Sequence, residues 1–164
     1  MRMVLLFLVL ALANIASAKT PYQMRDVVLL QPDAVLQERI MPSALAPYIR
    51  SVNAVAGEVL AGEQREPAGG FLVLAIRPGN QSAAWLDIRP GLPPGLAQVL
   101  VSRLRAIPPP TVEKGAVIFA IRAGLWGGTP SAENMPAVTE WTEAAAKAGA
   151  PLPIDELVER TWPR

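Results

Sequence analysis

The amino-acid sequence predicts an α+β fold, in which a small antiparallel sheet of three to four strands packs against helices. Three observations indicate this class. Apolar residues recur at helical spacing from Ser43 to Leu60, two strand-like runs flank a Pro-Gly-Asn turn at 78–80, and another strand-like run follows at 116–123. Residues three and four apart share one face of a helix, whereas alternate residues share one face of a strand, so the two periods distinguish the elements.

The first 18 residues have the pattern of a cleavable secretory signal peptide. Arg2 precedes an apolar run from Val4 to Ala13, and Ala16-Ser17-Ala18 forms a small-x-small cleavage site. The run is about half of the ~20 residues that a membrane-spanning helix needs. We therefore expect a periplasmic or secreted protein, with 19–164 as one α+β domain and no transmembrane segment after cleavage. An uncleaved N-terminal anchor is the alternative.

The composition limits the chemistry that the exported chain can perform. Without Arg2 it has 14 basic and 14 acidic residues, and this balance argues against nucleic acid as a partner. The chain contains no Cys and no His, which removes thiol nucleophiles, Ser-His catalysis and the usual zinc or copper ligands. We expect no catalytic residues, no metal and no cofactor.

The first elements after the signal are a short strand and an amphipathic helix. Val27 to Leu30 form a short apolar run that begins with two β-branched residues and lies beside Pro32, which is typical of a strand. The apolar stripe of the 43–60 helix begins at a potential N-cap, Ser43, and Gly62 follows its last turn.

The turn at 78–80 joins two strand-like runs and predicts a β-hairpin. The first run is apolar at every position from 71 to 76, as in a strand covered on both faces. The second run alternates, with Ala84, Leu86 and Ile88 on one face and Trp85 and Asp87 on the other. We therefore expect the second strand to expose one face to water.

Helices and a further strand follow the hairpin. Their predicted bounds are a helix at 95–106, a strand at 116–123 that we expect at an open sheet edge, a helix that has Pro136 in its first turn and ends at Gly149, and a short helix at 155–161.

Three groups of side chains are candidates for chemistry or recognition. Glu58, Glu63, Glu66 and Asp87 could provide the carboxylate pair of a glycosidase, although solvated surface positions explain them better. The glycines at 124, 127 and 128 could cradle an anion, but they lack the spacing of a phosphate-binding loop and favour a turn. Asn80-Gln81-Ser82 matches an N-glycosylation sequon in a turn.

Trp85 is the aromatic residue most suited to bind a partner, since a large ring on the open face of a strand can anchor one. The alternative, which we favour, is that C-terminal helices carrying Trp141 and Trp162 cover it.

The segment from Gly70 to Leu125 resembles the C-terminal domain of TonB-type energy transducers. The resemblance lies in 70–76, in the Pro-Gly-Asn turn, in the short helix, and in Pro108-Pro109-Pro110 leading through Lys114-Gly115 into the strand at 117–121. Transducing members keep a membrane anchor and a long proline- and charge-rich spacer, and this sequence shows neither. The resemblance therefore implies a non-catalytic envelope domain that binds another protein, often by adding a strand to an open sheet edge.

These observations predict an exported, non-catalytic protein-interaction domain of the bacterial cell envelope, whose partner is another envelope protein. The residues predicted to bind that partner are Trp85, Val117, Ile118, Phe119 and Trp126. Two alternatives stay open. One is an inhibitor or immunity protein for an envelope-acting enzyme, with 125–130 as its plug, and the other is a carboxylate-dependent cell-wall hydrolase.

Overall fold

The structure of the chain is a computed structural model that describes residues 19–164, so the predicted signal peptide lies outside the described residues. Four strands and five helices occur in this part of the chain, and the strands form one antiparallel sheet, which confirms the predicted α+β class. The elements in chain order are β1 (Tyr22–Leu29), α1 (Asp33–Arg39), α2 (Pro42–Ala61), β2 (Ala68–Arg77), β3 (Gln81–Arg89), α3 (Pro94–Arg105), β4 (Val117–Leu125), α4 (Thr139–Ala148) and α5 (Ile154–Thr161).

The hairpin of β2 and β3 forms as predicted, because its signals are local. Arg77 pairs with Gln81 across the turn, and the register continues without a break to Gly69 and Arg89. Gly79 has φ 84°, a conformation that glycine adopts without steric cost, and it follows a proline that fixes its own φ.

Two helix starts differ from the predicted ones. Helix α2 begins at Pro42, whose missing N–H suits a first helical position, so Ser43 lies inside the first turn and Met41 is the N-cap. Helix α4 begins at Thr139 and not near Pro136. The backbone N–H of Ala137 donates to Asp87 Oδ2 at 2.7 Å, so the chain just before α4 is bound to β3.

The sheet lies between two layers of helices. On one face α2 and α3 cover the even-numbered positions of β2, with Leu72, Leu74, Val52, Leu60 and Leu100 among the buried residues of this core. On the other face α4 and α5 cover the odd-numbered positions, with Phe71, Val73, Trp85, Trp141 and Val158 among the buried residues. The apolar character of β2 on both faces follows from these two layers.

The strand order is β1-β4-β2-β3, which corrects the prediction that the 116–123 strand is an open edge. Strand β4 is interior, because Phe119 pairs with Leu29 of β1 on one side and with Leu74 of β2 on the other. The sequence shows a short run at 27–30, but the strand that covers β4 extends from Tyr22 to Leu29. The two edges of the sheet are therefore β1 and β3.

Candidate functional site

The partner-binding residues predicted on β4 lie in the interior of the sheet. Val117, Ile118 and Phe119 are fully buried, and their strand has a neighbour on each side. These residues were predicted to bind a partner because their strand was expected at an open sheet edge, but β1 pairs with that side of β4.

The two predicted tryptophans are also buried. Trp85 packs edge-to-face on Trp141, with ring centroids 5.6 Å apart, and on Trp162 at 6.4 Å. This confirms the favoured interpretation, that the C-terminal helices cover Trp85, and shows that the expectation of a water-exposed face on its strand is wrong. The indole N–H of Trp126 donates to the carbonyl oxygens of Leu60 at 3.2 Å and Glu63 at 2.7 Å, so this ring closes the end of α2.

Three of the candidate carboxylates are bound to different partners. Glu58 of α2 pairs with Arg103 of α3 at 2.9 Å, and Glu63 pairs with Arg65. Asp87 lies on the opposite face of the sheet, where it accepts the Ala137 N–H. A glycosidase needs two carboxylates facing one bond, and Glu58 and Asp87 lie on opposite sides of the sheet.

The glycines at 124 and 128 serve close backbone packing. A Cβ on Gly124 would overlap the carbonyl oxygen of Gly128, and a Cβ on Gly128 would overlap that of Ala68. The loop after β4 therefore lies directly on the ends of β2 and β4, as expected for a turn that leaves a strand.

The β1 edge is protected against pairing with another strand. Its register shifts between Met24 and Asp26, which marks an irregularity in the ladder. Charged side chains occupy this position, since Asp26 pairs with Arg122 at 3.4 Å and Arg25 is exposed. Irregular pairing and charge are the devices by which natural edge strands avoid adding a partner.

The β3 edge is regular and lies at the floor of a groove. The groove has a volume of about 630 Å³, and Ala84, Trp85 and Leu86 form its floor. One wall is the α3 surface at Ala97 and Val101. Because Ala84 and Trp85 belong to opposite faces of the sheet, the groove opens at the strand edge itself, between the two helical layers.

The opposite wall of the β3 groove belongs to the C-terminal helices. Glu140 and Glu143 of α4 line it together with Thr161 and Pro163. A second cavity of about 480 Å³ continues the groove toward the hairpin turn, past Arg77, Arg105 and Arg164. The groove thus follows β3 from the turn toward its C-terminal half.

The backbone of β3 is the chemical group that this groove presents. Within residues 19–164, β3 pairs with β2 alone, so the N–H and C=O groups on its outer side have no strand partner. In an antiparallel strand these outward groups occur at alternate residues. The sequence shows no signal for this edge, because the order of the strands depends on the distant pairing of β1 with β4.

Metal binding, membrane spanning and similarity to known proteins are three further indications of function. No three acidic side chains between Lys19 and Arg164 cluster closely enough to hold a metal ion. None of the helices in this part of the chain is long and apolar enough to span a membrane. Compared with known proteins, the chain matches no family model, no curated protein and no solved structure.

Proposed function

We propose that this chain is an exported, non-catalytic interaction domain of the bacterial cell envelope, and that it binds an extended segment of another protein by strand addition along β3. The observation that carries the proposal is the unpaired edge of β3 at the floor of the 630 Å³ groove. Strand addition obtains its affinity from main-chain hydrogen bonds and its specificity from pockets for alternate side chains.

The contrast between the two sheet edges supports β3 as the binding edge. Strand β1 carries the irregularity at Met24 and Asp26, whereas the β3 register is continuous over its whole length. Strand β2, which pairs with β3, is buried over almost its whole length, so we expect the edge to be rigid and a bound strand to order few groups of the domain itself.

The composition supports a binding role over catalysis. The sequence lacks Cys and His, Glu58 and Glu63 are each paired with an arginine, and the sheet lies between Glu58 and Asp87. The loop proposed as an inhibitory plug, 125–130, begins with the buried Leu125 and Trp126 and packs on the sheet, so it offers little to insert into another protein.

A peptide selection combined with amide hydrogen exchange tests the proposal. Segments of eight residues are selected from a random display library on the purified protein, and exchange is then measured with and without each selected segment. We expect the segments to slow exchange at alternate amides within 82–88 and to leave the β1 amides at 23–25 unchanged. Protection elsewhere on the surface, or the absence of binding segments, would contradict strand addition at β3.

A pair of α3 variants provides the matched control. Ala97→Arg places a long side chain in the groove, because Ala97 lines it, whereas Val99→Arg changes a residue that is 51% exposed on the same helix. We expect Ala97→Arg to abolish binding of the selected segments and Val99→Arg to preserve it. Equal effects of the two substitutions would show that the groove is not the binding site.

A further inference from the structure

The charges around the β3 groove are divided between its two ends. The Ser82 hydroxyl donates to the carbonyl oxygen of Arg105 at 3.3 Å, which places the C-terminus of α3 beside the start of β3. The Ala137 N–H on Asp87 places the start of α4, and with it Glu140, beside the other end. The two ends are about five residues apart, roughly 17 Å along a strand.

Arg105 is the cation that lines the 630 Å³ groove itself, whereas Arg77 and Arg164 line only the adjoining cavity at the turn. It lines the 630 Å³ groove, the 480 Å³ cavity at the turn and a third cavity of about 490 Å³, and it forms no ion pair among residues 19–164. Its neighbour Arg77 is already engaged, since its guanidinium lies 3.9 Å from the Trp162 ring centroid and donates to Gln81 Oε1 at 2.6 Å.

At the other end of the groove, two glutamates disfavour a negative charge on the bound segment. Glu140 and Glu143 both line the groove, and neither forms an ion pair within the described part of the chain. A carboxylate placed beside them would be repelled, whereas one beside Arg105 could accept charge-assisted hydrogen bonds.

From this distribution we propose that the segment bound along β3 carries a carboxylate at the end that lies beside Ser82, where Arg105 binds it, and none beside Glu140. This inference rests on the proposed function and specifies the chemistry of the partner. The partner is thus an extended protein segment with an acidic residue at one end of the bound stretch.

The display library tests this inference through the sequences that it yields. Selection is repeated on the wild-type protein, on Arg105→Gln, on Arg105→Lys and on Arg103→Gln. The last variant removes the same charge from the same helix at a residue that pairs with Glu58 outside the groove. Thermal unfolding of each variant verifies that the fold is intact.

We expect Asp or Glu to be enriched at one terminal position of segments selected on the wild type, on Arg105→Lys and on Arg103→Gln. On Arg105→Gln the enrichment should disappear, and individual wild-type segments should bind about tenfold more weakly. Segments that protect the β3 amides without an acidic preference, or that bind Arg105→Gln and Arg103→Gln equally, would overturn this inference and leave strand addition intact.

Two other results would overturn the inference together with the proposed function. One is that no selected segment protects β3. The other is that the purified protein forms a dimer whose β3 amides are protected without any added segment, which would assign the groove to a second copy of the chain. Sedimentation of the unliganded protein detects the dimer.

Discussion

The Oε1 atom of Gln31 accepts a hydrogen bond from the backbone N–H of Ile118 at 2.9 Å, so a side chain continues the β1–β4 ladder where the main chain leaves it. The last main-chain bond of that ladder joins Leu30 N to Ile118 O at 3.3 Å. The Gln31 Nε2 atom then donates to the Ala116 carbonyl oxygen at 2.9 Å and to Asp155 Oδ1 at 2.8 Å. One buried amide thus connects the end of β1, the start of β4 and helix α5.

Replacing this amide with a hydrocarbon should destabilise the protein. Gln31→Leu leaves the buried Ile118 N–H without its acceptor, and one unsatisfied buried group costs about 1–3 kcal/mol. The Ala116 carbonyl keeps the hydrogen bond that Arg39 Nη1 donates at 2.6 Å. We expect a comparable loss in the free energy of unfolding, measured by urea denaturation. The control, Gln23→Leu, alters an exposed residue of β1 and should change the free energy of unfolding by less than about 0.5 kcal/mol. Equal stabilities of the two variants would show that the amide network contributes little.

The Trp126 indole should stabilise the end of α2 through its N–H as well as its bulk. Trp126→Phe removes the donor to the Leu60 and Glu63 carbonyl oxygens and leaves space in a buried site. We expect a loss of about 2 kcal/mol or more in thermal or chemical unfolding. Trp162→Phe keeps an aromatic ring at a half-buried position and should cost less, so a larger effect there would contradict this account.

Two glycine-to-alanine changes should have opposite effects. Gly124→Ala forces a methyl group against the Gly128 carbonyl oxygen, so either the loop moves or the strand shifts, and we expect a loss of at least about 2 kcal/mol. Gly57→Ala adds a methyl group inside α2 where no heavy atom lies within 4 Å, and it should stabilise the protein by about 0.5–1 kcal/mol. Guanidinium denaturation measures the free energy of unfolding of both variants. If Gly124→Ala stabilised the protein, the loop would not pack on the sheet.

A partly buried tyrosine, Tyr22, and a buried one, Tyr48, should make the protein sensitive to alkaline pH. Burial raises the pKa of both phenols above the ordinary value of 10.0. A phenol whose pKa is raised by folding contributes stability that is complete below the unfolded-state pKa. That stability is lost as the pH rises toward the folded-state pKa. The free energy of unfolding should therefore fall above about pH 10.

Tyr48→Phe tests this pH dependence with little effect at neutral pH, because the Tyr48 hydroxyl is buried without a hydrogen-bond partner in the described residues. Near pH 7 the free energy of unfolding of the variant should match that of the wild type within about 1 kcal/mol. Above pH 10 it should fall less steeply than that of the wild type, by up to about 1.4 kcal/mol per pH unit. Tyr22→Phe also removes a 2.6 Å hydrogen bond to Asn53 Oδ1, so it should destabilise the protein near pH 7. Identical alkaline slopes for Tyr48→Phe and the wild type would show that this phenol ionises in the folded state.

The candidate site illustrates which features local sequence patterns can predict. The walls of the β3 groove contain residues of the predicted helices 95–106 and 155–161, and the periods of the sequence place both helices correctly. The prediction that the 116–123 strand lies at an open edge was wrong, because this run has the same period whether or not a further strand pairs with it. The charges at Arg105 and Glu140 could be seen in the sequence, but their positions at opposite ends of one groove could not.

Local patterns were sufficient to predict the α+β class, helix α2, helix α3 and the β2–β3 hairpin, because periodicity, prolines and a turn at 78–80 act between residues close in the chain. The pairing of β1 with β4, as between Tyr22 and Leu125, and the position of β3 as the regular open edge are known only from the three-dimensional packing. The same packing places Trp85 beneath Trp141 and Trp162. Contacts between residues so distant in the chain depend on how whole layers pack, and a local pattern is compatible with more than one such packing.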